Sequence, residues 1–304
     1  MARTLYPSAH ILEMFMPYLH DEKRLIGVLR AVAEKDFYRN VELPSFPTKE
    51  HRDTVRKILQ DEGLSAITFV APYLNEQRLS LCDPDDARRE KAMDALKYHA
   101  ELAAECGYMT FGVPSGPDPG EAGRALGLEL QADSVGRIAY FCAGLGMKCS
   151  IEPLDRYAHK KGLIGPMDEV VTWFAPLRAA HPNLYLHWDS AHEQLGDIDL
   201  FHSLDLCESF LQRIHLCNCI KDRSHPCFGD LHMEVGQPPL FETEGFLTPE
   251  VGAALLDHAV QGKTGVDTVY VSVEVLGHPG DDLWHKEYCT REFLKKCFEL
   301  MKTR

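Results

Sequence analysis

No apolar run in the chain approaches the ~18 residues that a membrane span requires, so no membrane partner is expected. The opening segment MARTLYPSAH lacks the apolar core of a secretory leader, and a cytoplasmic location is expected. Basic charge is scarce. Lys and Arg number 32 against 46 Asp and Glu, a net charge of −14. Nucleic-acid backbones are held by basic faces, so no nucleic-acid partner is expected. The short clusters Arg88, Arg89, Lys91 and Lys295, Lys296 read as solvated helix faces. No low-complexity tract, repeat or linker interrupts the 304 residues, and one domain over residues 1–304 is expected. GxSxG is missing, which argues against a serine nucleophile elbow. GxGxxG is missing after the first strand-like run, which argues against an open dinucleotide-binding sheet. Cysteine is not scarce. The ten cysteines mostly sit in apolar runs and read as buried, reduced thiols, and the spacing of Cys217 and Cys219 suits zinc poorly.

What is present is alternation. Short strand-like runs trade places with helical ones from end to end. ILEMFM (11–16) reads as the first strand, followed by a helix whose apolar residues Leu25, Ile26, Leu29 and Val32 recur at helical spacing. FYRNVEL, SAITFVAPYL, MTFGVPSG, MKCSIEPLD, LYLHWDSAH, LQRIHLCNC and VDTVYVSVEV read as the next seven strands. Thr48 reads as an N-cap, as does Asp83 or Asp85 further on. A polar loop is expected over 220–247. Parallel strands need crossover connections, and eight strand–helix units in about 250–300 residues is the size of a closed (β/α)8 TIM barrel.

Four of these runs carry a metal-ligating residue near the C-terminal end, where barrel active sites form. They are Glu152, Asp189, His215 and Glu274. Alternation along a strand puts Glu152 on the face of Ser150, Asp189 on that of His187, and Glu274 on that of Ser272. An isolated carboxylate in an apolar strand is costly, so these four residues, three of them carboxylates, at matching depth call for a cation. Hard oxygen donors with imidazole suit an exchangeable Mn, Mg, Co or Zn ion. Glu13 is left without a role.

The segments SIEPLD, DSAH, HLCNC and SVEV resemble the xylose isomerase-like superfamily. It includes ketose 3-epimerases, hydroxypyruvate and inosose isomerases or dehydratases, and AP endonucleases. The resemblance implies one divalent metal held by Glu152, Asp189, His215 and Glu274, with His192 on a substrate oxygen or a second metal. It also implies a homo-oligomer. In HLCNCIKDRSHPCFGDLHMEVG, Asp230 and His232 match positions where AP endonucleases place ligands for an extra metal. The two histidines those enzymes supply from early strands are missing here, where APYLN and GVPSG stand. The same segment is similar to the large subunit of C-glycoside deglycosidases, which act on 3-oxo-glucosides beside a small second subunit.

These residues permit one chemistry with two outcomes. Glu152 and Glu274 can address opposite faces of a sugar, one removing the proton beside a carbonyl and the other returning it through an enediolate. Isomerisation or epimerisation follows, or β-elimination where an aglycone can leave. His192, Lys221, Arg223, Asp230 and His232 are the expected substrate-binding set, with His192 also catalytic. A non-catalytic, metal-bound sugar-binding barrel is a further alternative.

Overall fold

The computed structural model describes residues 3–262 and 266–301. Eight parallel strands close on themselves: β1 (Thr4–Ala9), β2 (Asn40–Glu42), β3 (Ser65–Phe69), β4 (Thr110–Pro114), β5 (Lys148–Glu152), β6 (Leu184–Asp189), β7 (Leu211–Ile220) and, last in the chain, β9 (Thr268–Glu274). Pairing of β6 with β7 and of β1 with β9 completes the ring. A short strand β8 (Gly229–Met233) pairs antiparallel with the end of β7. The fold is a (β/α)8 TIM barrel, as the alternation predicts.

Helices cover the outside, as parallel strands buried on both faces require. All ten residues of β7 are buried. One apolar layer lies between strands and helices. In it Phe111, Ile151, Leu186, Ile214 and Val271 meet Leu29, Leu96, Ile138, Phe174 and Phe293. Those last five come from helices α2 (Glu22–Ala33), α5 (Asp86–Glu105), α6 (Glu121–Gly144), α7 (Met167–Ala180) and α11 (Leu283–Leu300). All ten cysteines are free, nine of them buried. Among the described residues no helix is long and apolar enough to cross a membrane.

The barrel interior is polar at mid-depth. Arg213 donates to the Glu42 carboxylate and, at 2.7 Å, to Oδ1 of Asn40. Arg213 is 2% exposed and Glu42 is fully buried. Removing one partner of such a pair strands a charge in the core. Arg213→Met is therefore expected to destabilise the fold by about 3–5 kcal/mol. Urea unfolding measures it, and a loss under about 1 kcal/mol contradicts the pairing.

The structure corrects three expectations. The first strand is TLYPSA, not ILEMFM. Residues Ile11–Met14 form the short helix α1, which crosses the barrel mouth and turns Leu12 inward against Ile67 and Phe69. A short apolar run cannot be assigned to strand or helix by periodicity alone, and Pro7 disguises the true strand. APYL opens helix α4 (Ala71–Gln77) instead of extending the third strand. The polar loop contains β8, because β7 outruns the barrel and its end pairs back, Asn218 with Met233 and Ile220 with Gly229. Thr48 stands at the N-cap of helix α3 (Lys49–Asp61), yet its hydroxyl donates to Glu22 at 2.9 Å and leaves the helix uncapped by a side chain. Asp85 does cap α5, accepting from Ala87 and Arg88.

Candidate active site

Glu152, Asp189 and Glu274 end β5, β6 and β9, and His215 stands midway along the longer β7, where register brings it beside them. Asp189 is the partner of His215, and Cys217 that of Glu274. One ligand atom from each of the four lies within 4.8 Å of the others. His215 Nδ1 is 3.1 Å from Glu274 Oε2 and 3.9 Å from Glu152 Oε1. Asp189 divides its carboxylate. Oδ1 accepts from the amides of Ala191 and His192, capping helix α8 (Ser190–Leu195), while Oδ2 is buried without a hydrogen-bond partner.

The charges of this cluster are unbalanced. Burial, with the Glu274 charge adding, pushes the Glu152 carboxyl up to about 8. Burial likewise raises Asp189 to about 7, with Glu274 and Asp230 adding. Glu274 is also penalised by burial, but His232 and His215 outweigh that and hold it well below the ordinary range. Protons thus stand where a cation would. The orphaned Oδ2 of Asp189 and the oxygen-and-imidazole donor set fit a divalent ion.

A pH dependence follows. Both raised carboxyls hold protons in the folded chain at pH values where the unfolded chain has released them, above the ordinary 4.5 and 3.8. The metal-free protein is therefore expected to lose stability as pH rises from that range to about 8. Seating an ion must expel those protons. Two or more are expected to be released per ion near pH ~6. Calorimetry in buffers of different ionisation enthalpy counts them, and a release of none contradicts the arrangement.

His215 is held from behind. Its Nε2 lies 2.9 Å from Glu42 Oε2, and Glu42 is in turn gripped by Arg213. A carboxylate on the far nitrogen fixes the tautomer and orientation of a ligating imidazole. His10, at the end of β1, lies 3.4 Å from Glu274 and 3.6 Å from Glu42. His187 packs edge-on to His215 with ring centroids 3.8 Å apart, and burial holds it well below its ordinary pKa. Sequence reasoning missed Glu42 and His10 as site residues. Glu42 ends a run of mixed polarity in which Arg39 and Asn40 mask the cost of its burial, whereas His10 was hidden by the misplaced first strand.

A second cluster adjoins the first. His192 is buried, its Nδ1 3.3 Å from Asp155 Oδ2 and its Nε2 3.8 Å from Asp230 Oδ2. Asp230 Oδ2 also lies 3.0 Å from His232 and 3.1 Å from Lys160. His232 reaches Glu13 at 3.3 Å and Glu274 at 3.5 Å, which links the clusters and gives Glu13 a place on α1. Lys221 and Arg223 lie elsewhere. Lys221 pairs with Asp197 on the surface. Arg223 donates to the Tyr157 carbonyl at 3.1 Å and covers the Phe228 ring. Neither lines the cavity.

Both clusters face one cavity of about 700 Å³. Glu152, His192, His215, Asp230, His232 and Glu274 form its polar floor; Leu12, Met16, Phe69, Pro72, Leu231 and Leu276 line its apolar side. The ends of β3 and β4 contribute Phe69, Ala71, Pro72 and Pro114, with no imidazole or carboxylate.

The family model described as xylose isomerase-like TIM barrel matches residues 29–286. No curated protein matches the chain. A putative xylose isomerase from Rhodospirillum rubrum superposes with a TM-score of 0.72 at 17% identity, covering 98% of this chain and 100% of that one. D-allulose 3-epimerase from Methylomonas sp. gives 0.68 at 16% identity, with coverages of 99% and 100%. 3-Keto-D-glucoside 4-epimerase from E. coli gives 0.63 at 14%, with coverages of 98% and 99%. At these identities the likeness is one of fold. The family match extends over most of the sequence, from the second helix to the last. This chain belongs to the xylose isomerase-like TIM barrel family.

Proposed function

We propose that the protein is a divalent-metal-dependent sugar isomerase or epimerase that moves a proton at the carbon beside a carbonyl. The observation that carries this reading is the convergence of four donors within 4.8 Å, three of which, Glu152, His215 and Glu274, line a ligand-sized cavity. Glu152, Asp189, His215 and Glu274 would hold the ion, which when bound supplies Lewis-acid polarisation of the carbonyl and countercharge for the enediolate. The rest falls to the chain. Glu152 and Glu274 come from β5 and β9, with β6 and β7 between them in the ring, so they approach a bound sugar from different sides. One carboxylate takes the proton and the other returns it. His192 and His232, lining the same cavity, are placed to bind substrate oxygens. The apolar side excludes water from the proton-transfer region. The solved relatives whose names identify them as sugar epimerases support the substrate class.

The test is proton exchange with solvent. In deuterium oxide with Mn²⁺, one member of a panel of ketohexoses and 3-oxo-glycosides is expected to gain one deuterium beside its carbonyl. A panel that stays unlabelled through complete conversion of any member contradicts the two-carboxylate mechanism.

The cavity favours a second reading of the same first step. Some 700 Å³ with an apolar side lies in the upper part of the ~300–1,000 Å³ range for drug-sized ligands. It accommodates a sugar bearing an apolar aglycone. Proton removal beside a 3-oxo group would then expel the aglycone by β-elimination, with His192 as the proton donor to it. Release of free aglycone from a 3-oxo-glycoside, together with a small companion chain on co-purification, distinguishes this lyase from an epimerase.

A further inference from the structure

His10 directly follows β1 and stands at the N-cap of α1, where its Nδ1 accepts from the Glu13 amide at 3.3 Å. An imidazole nitrogen that accepts a hydrogen bond carries no proton, so the proton of this ring sits on Nε2. Capping the helix thus selects the tautomer, because the bond made by one ring nitrogen decides the state of the other. The ring is 2% exposed and held on both sides. It stacks on Phe69 with centroids 6.2 Å apart, and the His215 ring lies 4.8 Å away.

Two carboxylate oxygens stand before that Nε2–H, Glu274 Oε1 at 3.4 Å and Glu42 Oε2 at 3.6 Å. Glu42 is already satisfied. Its Oε2 lies 2.9 Å from His215 Nε2, and its Oε1 accepts from Arg213 and, at 3.1 Å, from Ser8. Glu274 divides its two oxygens. Oε2 meets His215 Nδ1 at 3.1 Å. Oε1 has, besides His10, the Nδ1 of His232 at 3.5 Å, which also faces Glu13 at 3.3 Å.

We propose that His10 is a positioning residue for Glu274: its Nε2–H, aimed by the helix cap, holds Oε1 of that carboxylate and leaves Oε2 turned toward His215. The inference deepens the proton-transfer reading and rests on it for the effect on turnover. A carboxylate free to rotate meets a substrate hydrogen in many orientations; one held by a fixed donor meets it in one. Misplacement of a reacting group by about 1 Å costs on the order of 10² in rate. The same ring therefore ties α1, which carries Leu12 and Glu13 into the cavity, to the carboxylate below it.

The test separates the two bonds of His10. Proton–nitrogen NMR of the metal-free protein with isotope-labelled histidine is expected to show a proton on Nε2 of this ring and none on Nδ1, with His10→Asn identifying the signal. Glu274→Ala is expected to shift the Nε2 signal. A proton on Nδ1, or an Nε2 signal unmoved in Glu274→Ala, overturns the proposal. Kinetics then read the consequence. His10→Asn keeps an acceptor for the Glu13 amide but ends short of Glu274, whereas His10→Gln sets an amide N–H near the place of Nε2 and gives up the cap. In deuterium oxide with saturating Mn²⁺, His10→Asn is expected to slow exchange from the epimer that Glu274 serves by about 10–100-fold and to leave the other epimer nearly unaffected. Glu274→Gln, assayed alongside, identifies that epimer. His10→Gln is expected to recover most of the lost rate. Equal losses from both epimers, or a loss that His10→Gln does not recover, would reduce His10 to a helix cap and overturn the proposal. If wild type exchanges neither epimer, the proton-transfer reading fails, and the NMR signals decide this inference by themselves.

Discussion

Glu152→Gln and Glu274→Gln, each assayed at saturating Mn²⁺, are expected to lower turnover by about 10²–10⁴. Each change keeps the shape of the side chain and removes its ability to accept a proton. The two variants should differ in what survives. Net interconversion needs both carboxylates, but exchange of one substrate proton with solvent needs only one. Each variant is therefore expected to retain deuterium exchange into one sugar epimer and to lose it from the other. Nuclear magnetic resonance of the product separates the two cases. Turnover within tenfold of wild type in both variants, with metal content verified, would sink the assignment of these carboxylates to proton transfer. Loss of exchange from the same epimer in both would sink the two-sided arrangement.

His215→Ala is expected to abolish Mn²⁺ binding, the second large effect. Its Nδ1 faces Glu274 and Glu152, and its Nε2 is tied to Glu42. Removing the ring takes away the only imidazole of the four-residue set and leaves three carboxylates without a neutral donor. Glu42→Gln is expected to be milder. Losing the partner of a ligand typically costs about 10–100-fold in metal affinity. The ordering of the two variants is the informative part, since Glu42 reaches the four-donor set through His215 and is not one of the four. Electron paramagnetic resonance of free Mn²⁺ gives both dissociation constants, and thermal unfolding verifies that each variant is folded. An unchanged constant in His215→Ala would remove His215 from the centre.

The legible part of the site had a local cause. Glu152, Asp189 and Glu274 each end a run of apolar residues, where an unpartnered carboxylate is costly, so each announces a counter-charge from its own neighbourhood. The illegible part has a distant one. Glu42 and His215 are 173 residues apart, and Lys160 and His232 are 72 apart. Nothing near Lys160 in the sequence marks it off from Lys161 beside it. Lys221 and Arg223 illustrate the converse. They follow His215 closely, but β7 continues to Ile220 and carries them beyond the barrel rim, where they meet Asp197 and Tyr157.

Strand–helix alternation and the four candidate donors were determined by the sequence itself, because periodicity and the cost of a buried charge act over a few residues. The position of the first strand, the pairing of β8 on β7 and the seating of Lys160 among His192, Asp230 and His232 were decided only by the tertiary structure. Closing the ring chose which short apolar run could pair with both β2 and β9, and the loops over its mouth then fixed which charges meet.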